Sequence, residues 1–431
     1  MLRASLQLGL IHMAVAMTLV PINSTLNRVM IKELGLSATL VVALASLPYL
    51  FSPIQVAIGS YSDRHPLFGR RRSPYILAGL LLCAAGVAAA PYCAYLLASR
   101  FWLGLAAGAA AFGAWGMGYN LAAVSYLALA TELSGKGGRG RTLAVMWCLM
   151  IGGIIATSLG LGRLLDPYSP AVLSRSFALV AGAALLIGLA GLAGLEKRTP
   201  SPAAGERSAW GPVLRGAARN PQALLFFVYL LLLLSAVFGQ DLLLEPFGGE
   251  VLSLSIAQTS RLTSIWGGSF LAAMALGSAL ERRVAKKILA LSGGLAAFLA
   301  LMILLASGLL GSRAVFYSGT VLLGLGTGVS TLANLSLMMD MTVAGREGAF
   351  IGLWGIASAF SRVAGSATGG LARDLAGRRN PLHGYLVIFA LLGLFLAASL
   401  FLLGRIDVPR FRRKARYSLF PTDPEVLENL D

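Results

Sequence analysis

Charge is scarce in this 431-residue chain, and negative charge scarcest: charged residues make up 12%, with 18 Asp and Glu against 35 Lys and Arg. A water-soluble globular protein of this length needs far more charge on its surface, so a soluble enzyme or soluble binding domain is excluded. Cysteine and histidine are rarer still, at three each. Cys83, Cys93 and Cys148 fall in apolar runs without metal spacing, which argues against a disulfide scaffold and reads them as small packing residues. His12, His65 and His383 are scattered, and no Ser/His/Asp set, Cys/His cluster or paired carboxylate with a basic partner has a local signature. The expectation is a chain that is not an enzyme, holds no metal and requires no cofactor. A glycine-rich phosphate-binding loop is also lacking, which removes ATP-driven transport by this chain alone.

Hydrocarbon fills the chain instead. Hydrophobic residues reach 57% and the mean hydropathy is +0.77. A membrane-crossing helix needs roughly 20 apolar residues, and the sequence divides into twelve such segments: 7–31, 37–60, 74–98, 102–130, 142–165, 172–195, 221–243, 256–280, 286–310, 314–339, 348–371 and 383–404. The fold class expected is an all-α polytopic membrane protein in the lipid bilayer. The first segment is too long for a cleaved signal peptide and lacks a small-residue cleavage site, so it reads as the first transmembrane helix.

The formal net charge of +17 does not point to nucleic acid, because of where the cations fall. If the first helix runs from inside to outside, 24 of the 35 Lys and Arg lie in inner loops and tails, and Arg28, Arg261 and Arg362 fall within spans. The positive-inside rule then places both termini in the cytoplasm.

The stretch between the sixth and seventh spans, basic and rich in Pro, Ala and Gly, is the only long interior loop. It divides the chain into an N-terminal six-helix half (1–195), a cytoplasmic linker (196–220), a C-terminal six-helix half (221–405) and a cytoplasmic tail (406–431). The tail is basic first and acidic last, and its first part is expected on the lipid headgroups. The halves echo each other. Gly116, Gly118 and Glu132 recur 208 residues later as Gly324, Gly326 and Asp340, and "GSYSD" (59–63) recurs at an offset of 218 as "GSALE" (277–281). Twelve spans in two pseudo-symmetric halves with both termini inside describe the major facilitator architecture. Glycine runs such as "GLAAGAAAFGAWGMG" (104–118) let such helices approach closely.

Polar residues gather at particular helix ends. Asn23, Asn27 and Arg28 lie in the outer half of the first span, while Gln240, Asp241 and Glu245 end the seventh, followed by the stop signal of Pro246, Gly248 and Gly249. An unpaired charge in hydrocarbon costs about 2.5–3.5 kcal/mol on insertion scales, so Arg28 is expected to meet Asp241 or Glu245 across the pseudo-symmetric first and seventh helices. Arg261 is the competing partner. These seven residues form a candidate outer gate or cargo contact. On the inner side, Asp63 and Arg64 with Arg70, Arg71 and Arg72 resemble the loop signature of the superfamily, read as a latch. Glu132 and Arg141, with Asp340 and Arg346, look like matched inner-gate groups. His12 is a possible ligand to the magnesium of a chlorin, against the alternative of a packed histidine.

"NSTLNRVMIKELG" (23–35), "PYLFSP", "SDRHPLFGRRRSPY" (62–75) and "GQDLLLEPFGGEVLSLS" (239–255) together resemble the PucC family, also called the bacteriochlorophyll delivery family, of the major facilitator superfamily. The resemblance spans residues 10–405. It implies a phototrophic host and a role in light-harvesting complex assembly, with chlorophyll or bacteriochlorophyll as cargo and antenna polypeptides or pigment-synthesis proteins as partners. The implied location is a cytoplasmic, intracytoplasmic or thylakoid membrane. The rival readings are a proton- or ion-coupled transporter of a small solute, disfavoured by the lack of mid-span acids, and a non-transporting scaffold.

Overall fold

The computed structural model describes residues 2–51, 54, 58, 61–62, 65–196, 220–281, 283–342, 347–378 and 380–419, with 135–141, 347–352 and 414–419 described in backbone only. Asp63, Arg64 and Arg346 therefore lie outside the described residues, as does the Arg141 side chain. The elements are helical: α1 (Leu2–Glu33), α2 (Ala38–Ala45), α3 (Leu47–Leu50), α4 (Ser73–Ser99), α5 (Phe101–Leu164), α6 (Pro170–Leu192), α7 (Pro221–Asp241), α8 (Leu244–Glu250), α9 (Ile256–Ser260), α10 (Leu262–Leu280), α11 (Lys286–Leu310), α12 (Arg313–Asp340), α13 (Glu347–Ala376), α14 (Pro381–Arg405) and α15 (Val408–Leu419).

Ten helices among the described residues are long and apolar enough to cross a membrane. The two other expected spans are not among these ten. The 37–60 segment breaks at Ser46, because Pro48 in the first turn of α3 has no amide hydrogen with which to continue α2. The eleventh is α13, 30 residues long, whose apolar residues are interleaved with Ser358, Ser361, Arg362 and Ser366. The fourth and fifth spans differ from expectation, since the backbone stays helical through the anticipated loop and both lie within α5.

Each half has its own core. Phe226, Tyr229, Phe247, Phe316, Trp354 and Phe389 centre the C-terminal one, whereas Phe112, Trp115 and Phe177, and separately Leu8, Ile11 and Tyr126, centre the N-terminal packing. A small cluster of Val42, Ala45 and Leu242 bridges the halves. Bodies that each bury their own apolar surface can move relative to one another without exposing a core.

The internal repeat is visible as repeated close contacts. A Cβ on Gly79 would lie 2.7 Å from the Gly118 carbonyl oxygen, and one on Gly293 would lie 2.9 Å from that of Gly326. A Cβ on Gly116 would lie 2.8 Å from the Pro48 nitrogen, and one on Gly324 would lie 2.5 Å from the Trp266 carbonyl oxygen. The pairs Gly116/Gly324 and Pro48/Trp266 are offset by 208 and 218 residues, the two offsets read from the sequence. Helices in each half thus touch backbone to backbone at matching positions. We call the face that carries the ends of α1 and α14 nearest the chain termini the terminal face, and the opposite one the distal face.

Candidate functional site

The halves are fastened near the distal face, and α1 supplies much of the fastening. Its backbone widens into π-helical turns at Pro21–Leu26 and Val29–Glu33, a geometry that often marks functional positions. From this stretch Ser24 donates to Glu245 Oε1, and Thr25 shares a 3.0 Å hydrogen bond with Ser260. Asn27 donates to the Leu242 carbonyl, and Arg28 Nη2 donates to the Leu254 carbonyl at 2.8 Å. Thr263 adds a second hydroxyl to Glu245 Oε1 at 3.0 Å. From α5, Ser158 donates to the Ser260 carbonyl and Arg261 reaches back to the Gly162 carbonyl at 3.5 Å, near a helix C-terminus that favours a cation.

These contacts revise the expected pairing. Arg28, 1% exposed, forms its ion pair with Glu33 of its own helix at 2.9 Å and not with Asp241 or Glu245. Arg261 pairs with neither acid. Glu245 is instead held by hydroxyls, and its Oε2 has no partner among the described residues. A Cβ on Gly249 would lie 2.8 Å from Arg28 Nε, so this glycine of the LLEPFGGE segment leaves the room that the Arg28 side chain fills. Asn23 is half-buried and contributes its carbonyl to Asn27.

The expected helix stop at Pro246 is also corrected. Helix resumes there, because α8 begins at Leu244 and Pro246 falls in its first turn, where an amide hydrogen has no intrahelical partner. Asp241, the last residue of α7, is therefore followed within three residues by a further helix.

A second fastening was missed by the sequence reading. Asp374, in the last turn of α13, accepts the Ser37 hydroxyl at 2.6 Å and the Ala38 and Thr39 amides at 3.0 and 2.8 Å. A carboxylate of one half thus caps the N-terminus of α2 in the other. Arg373 steadies it at 3.3 Å and also pairs with Glu250 at 2.5 Å, while Glu250 accepts the Tyr385 hydroxyl at 2.6 Å.

Deeper in the molecule Arg362 of α13 lies 3.7 Å from the Phe238 ring centre and 4.5 Å from that of Tyr49, to whose hydroxyl it donates at 3.2 Å. Tyr49 belongs to the N-terminal half, so the contact joins the halves. Asp241 accepts from Gln240 and lies within electrostatic reach of Arg362 without a direct ion pair. Its side chain is exposed at the end of α7. Tyr119 lies within electrostatic reach of Arg362 and is half-buried.

On the terminal face the charges pair within each half. Glu132 meets Arg72 at 3.1 Å and Arg71 at 3.9 Å, and Arg72 also donates to Ser62 at 2.8 Å. Asp340 meets Lys286 at 2.8 Å and Arg412 at 3.4 Å. Arg72 and Lys286 are 214 residues apart, as are Gly79 and Gly293, so the two ion pairs are repeats of one another. The partners expected from sequence, Arg141 and Arg346, are not described there. Arg70 closes a two-residue turn with Leu67, with both Phe68 and Gly69 at positive φ. Glu196 accepts the amides of Arg71, Arg72 and Ser73 at 2.6–3.2 Å and so caps α4. His12 is packed between Tyr126 and Trp147, at ring-centre distances of 5.0 and 6.0 Å.

Two helical halves, separately cored and fastened to each other near one face, define the major facilitator fold. Solved structures agree in fold. The nucleoside transporter NupG matches with a TM-score of 0.76 at 12% identity, over 94% of this chain and 99% of that one. A D-xylose-proton symporter matches at 0.68 and 16%, over 95% and 98%.

Sequence narrows the class. The family model described as PUCC protein matches residues 25–411, and the chain belongs to that family. Protein PucC of Rhodovulum sulfidophilum is 33% identical over 388 residues, 86% of this chain and 84% of that protein. Protein PucC of Cereibacter sphaeroides is 32% identical over 89% and 86%. A Rhodobacter capsulatus protein named bacteriochlorophyll synthase 44.5 kDa chain is 31% identical over 86% and 87%.

Proposed function

We propose that this protein is a membrane assembly factor for photosynthetic light-harvesting complexes, handling chlorophyll or bacteriochlorophyll and passing it to antenna polypeptides. The observation that carries the reading is that its two most family-like segments, 23–35 and 239–255, meet: Ser24 with Glu245, Asn27 with Leu242 and Arg28 with Leu254. With the basic loops and both termini on the cytoplasmic side, this seam between the halves closes the outer face. Among the described residues the terminal-face acids Glu132 and Asp340 pair within their own halves, which supports an interior that opens toward the compartment where pigment would be received. In this reading Asn23, Asn27, Arg28, Gln240, Asp241, Glu245 and Arg261 are gate and cargo-contact residues. Pigment is cargo here and not a resident cofactor, and antenna polypeptides or pigment-synthesis proteins are the partners.

Purification from a phototrophic membrane followed by an absorption spectrum tests this. Chlorin bands that co-purify and disappear on seam disruption are expected. A clean preparation without pigment, from a strain whose antenna assembles normally when the gene is deleted, overturns it.

Asp241 and Arg362 favour a second reading, an ion-coupled transporter, since intramembrane charges commonly mark ion pathways. Saturable solute uptake into liposomes driven by a proton gradient would select it.

A further inference from the structure

The Arg362 guanidinium of α13 uses only part of its hydrogen-bonding capacity at the seam. Two aromatic rings pack against it, Phe238 from its own half and Tyr49 from the other. One of its terminal nitrogens is taken by the Tyr49 hydroxyl. Among the described residues its Nε and Nη2 make no hydrogen bond, and no carboxylate lies within ion-pair distance. Cation–π contacts offset part of the cost of a cation in the membrane. They leave open the guanidinium edge, which matches a carboxylate with two parallel hydrogen bonds.

We propose that this edge binds the free carboxylate of a large flat ring, the unesterified acid form of a chlorin. The inference rests on the pigment-handling reading and specifies the form of the pigment. The walls suit such a ligand: Tyr49, Phe238 and Tyr119 are aromatic and half-buried, and two of them come from the opposite half from Arg362. The Asp241 carboxylate lies within electrostatic reach of Arg362, so it competes with an incoming anion for that cation. A fully esterified chlorin offers no anion to this edge. The reaction that consumes the bound form is therefore an esterification, placed after this protein in sequence.

The test uses the full chain in detergent with two probes, pheophorbide a and its methyl ester, whose binding is read from chlorin absorbance and tryptophan quenching. Wild-type protein is expected to bind the acid roughly tenfold or more tightly than the ester, the worth of a charged bidentate contact. Arg362→Gln should bind both alike, Arg362→Lys should keep part of the preference, and Asp241→Asn should tighten the acid alone. Equal binding of acid and ester to wild type overturns the carboxylate inference and leaves pigment handling standing. Failure of both probes to bind overturns the two together. Because the acid-to-ester ratio is measured on wild type, the result survives a variant that fails to fold.

Discussion

Removing the Asp374 carboxylate should open the distal face. In Asp374→Ala the Ser37 hydroxyl and the amides of Ala38 and Thr39 lose an acceptor that now lies 2.6–3.0 Å away. Hydrogen bonds to a charged group contribute about 1.5–3 kcal/mol each, and a carboxylate at a helix N-terminus adds about 0.3–1 kcal/mol. The Asp374 side chain is 21% exposed, so water replaces part of each contact. The net loss is then about 2–4 kcal/mol, well below the sum. Even the lower figure shifts a closed-to-open ratio about 30-fold. Spin labels at Ser99→Cys and Ala314→Cys, at the distal ends of α4 and α12, report the separation of the halves once Cys83, Cys93 and Cys148 are replaced. The parent should give one short distance and Asp374→Ala an added longer population, with Asp374→Asn between them. An unchanged single distance in Asp374→Ala would refute the view that this contact holds the halves together.

Three further outcomes are expected. Gly326→Val should lower the melting temperature sharply or prevent accumulation in the membrane, because its Cβ would lie 2.5 Å from the Ala297 nitrogen, whereas Gly182→Val, with nothing within 4 Å, should be nearly neutral. Combined Asp241→Asn and Glu245→Gln substitution should leave insertion normal while abolishing antenna assembly; normal assembly would remove these acids from the gate. At Glu196, desolvation raises the carboxyl pKa, but the amides of Ser73, Arg71 and Arg72 outweigh it and hold the group below its ordinary 4.5. Its stabilisation of the α4 N-terminus is then complete above pH 4.5 and is lost as pH falls through the lower folded-state value. Hydrogen-exchange protection, corrected for the intrinsic rate at each pH, should fall at the amides of residues 71–73, 75 and 76 on acidification in wild type, and Glu196→Gln should show that lower protection already at neutral pH.

The membrane fold was legible because hydropathy reports directly on burial in lipid, and the repeat was legible because the same backbone contacts recur at Gly116 and Gly324. The seam was half legible. Asn27, Arg28 and Glu245 stood out as polar groups in apolar runs, but hydropathy does not say that Arg28 turns to Glu33 and Leu254 while Glu245 takes two hydroxyls. Pro246 misled for a local reason, since a proline in a first helical turn reads the same in sequence as one that ends a helix. Arg362 was visible as a cation within a span, yet its aromatic neighbours come from segments over 100 and over 300 residues away. Asp374 lay beyond the expected end of its span, and its partners are backbone amides, which carry no residue-specific signal.

The widened turns of α1 have a mechanical meaning. Each residue of an α-helix advances about 100° around the axis, and a π turn holds an additional residue relative to an α turn. Rewinding one such turn to α geometry would rotate everything beyond it by roughly that angle. Asn27 and Arg28 lie between the two widened stretches, so a local rewinding would swing both away from the Leu242 and Leu254 carbonyls together. The first helix can therefore work like a key in a lock: a quarter-turn about its own axis releases several contacts at once, without the helix sliding or leaving its place.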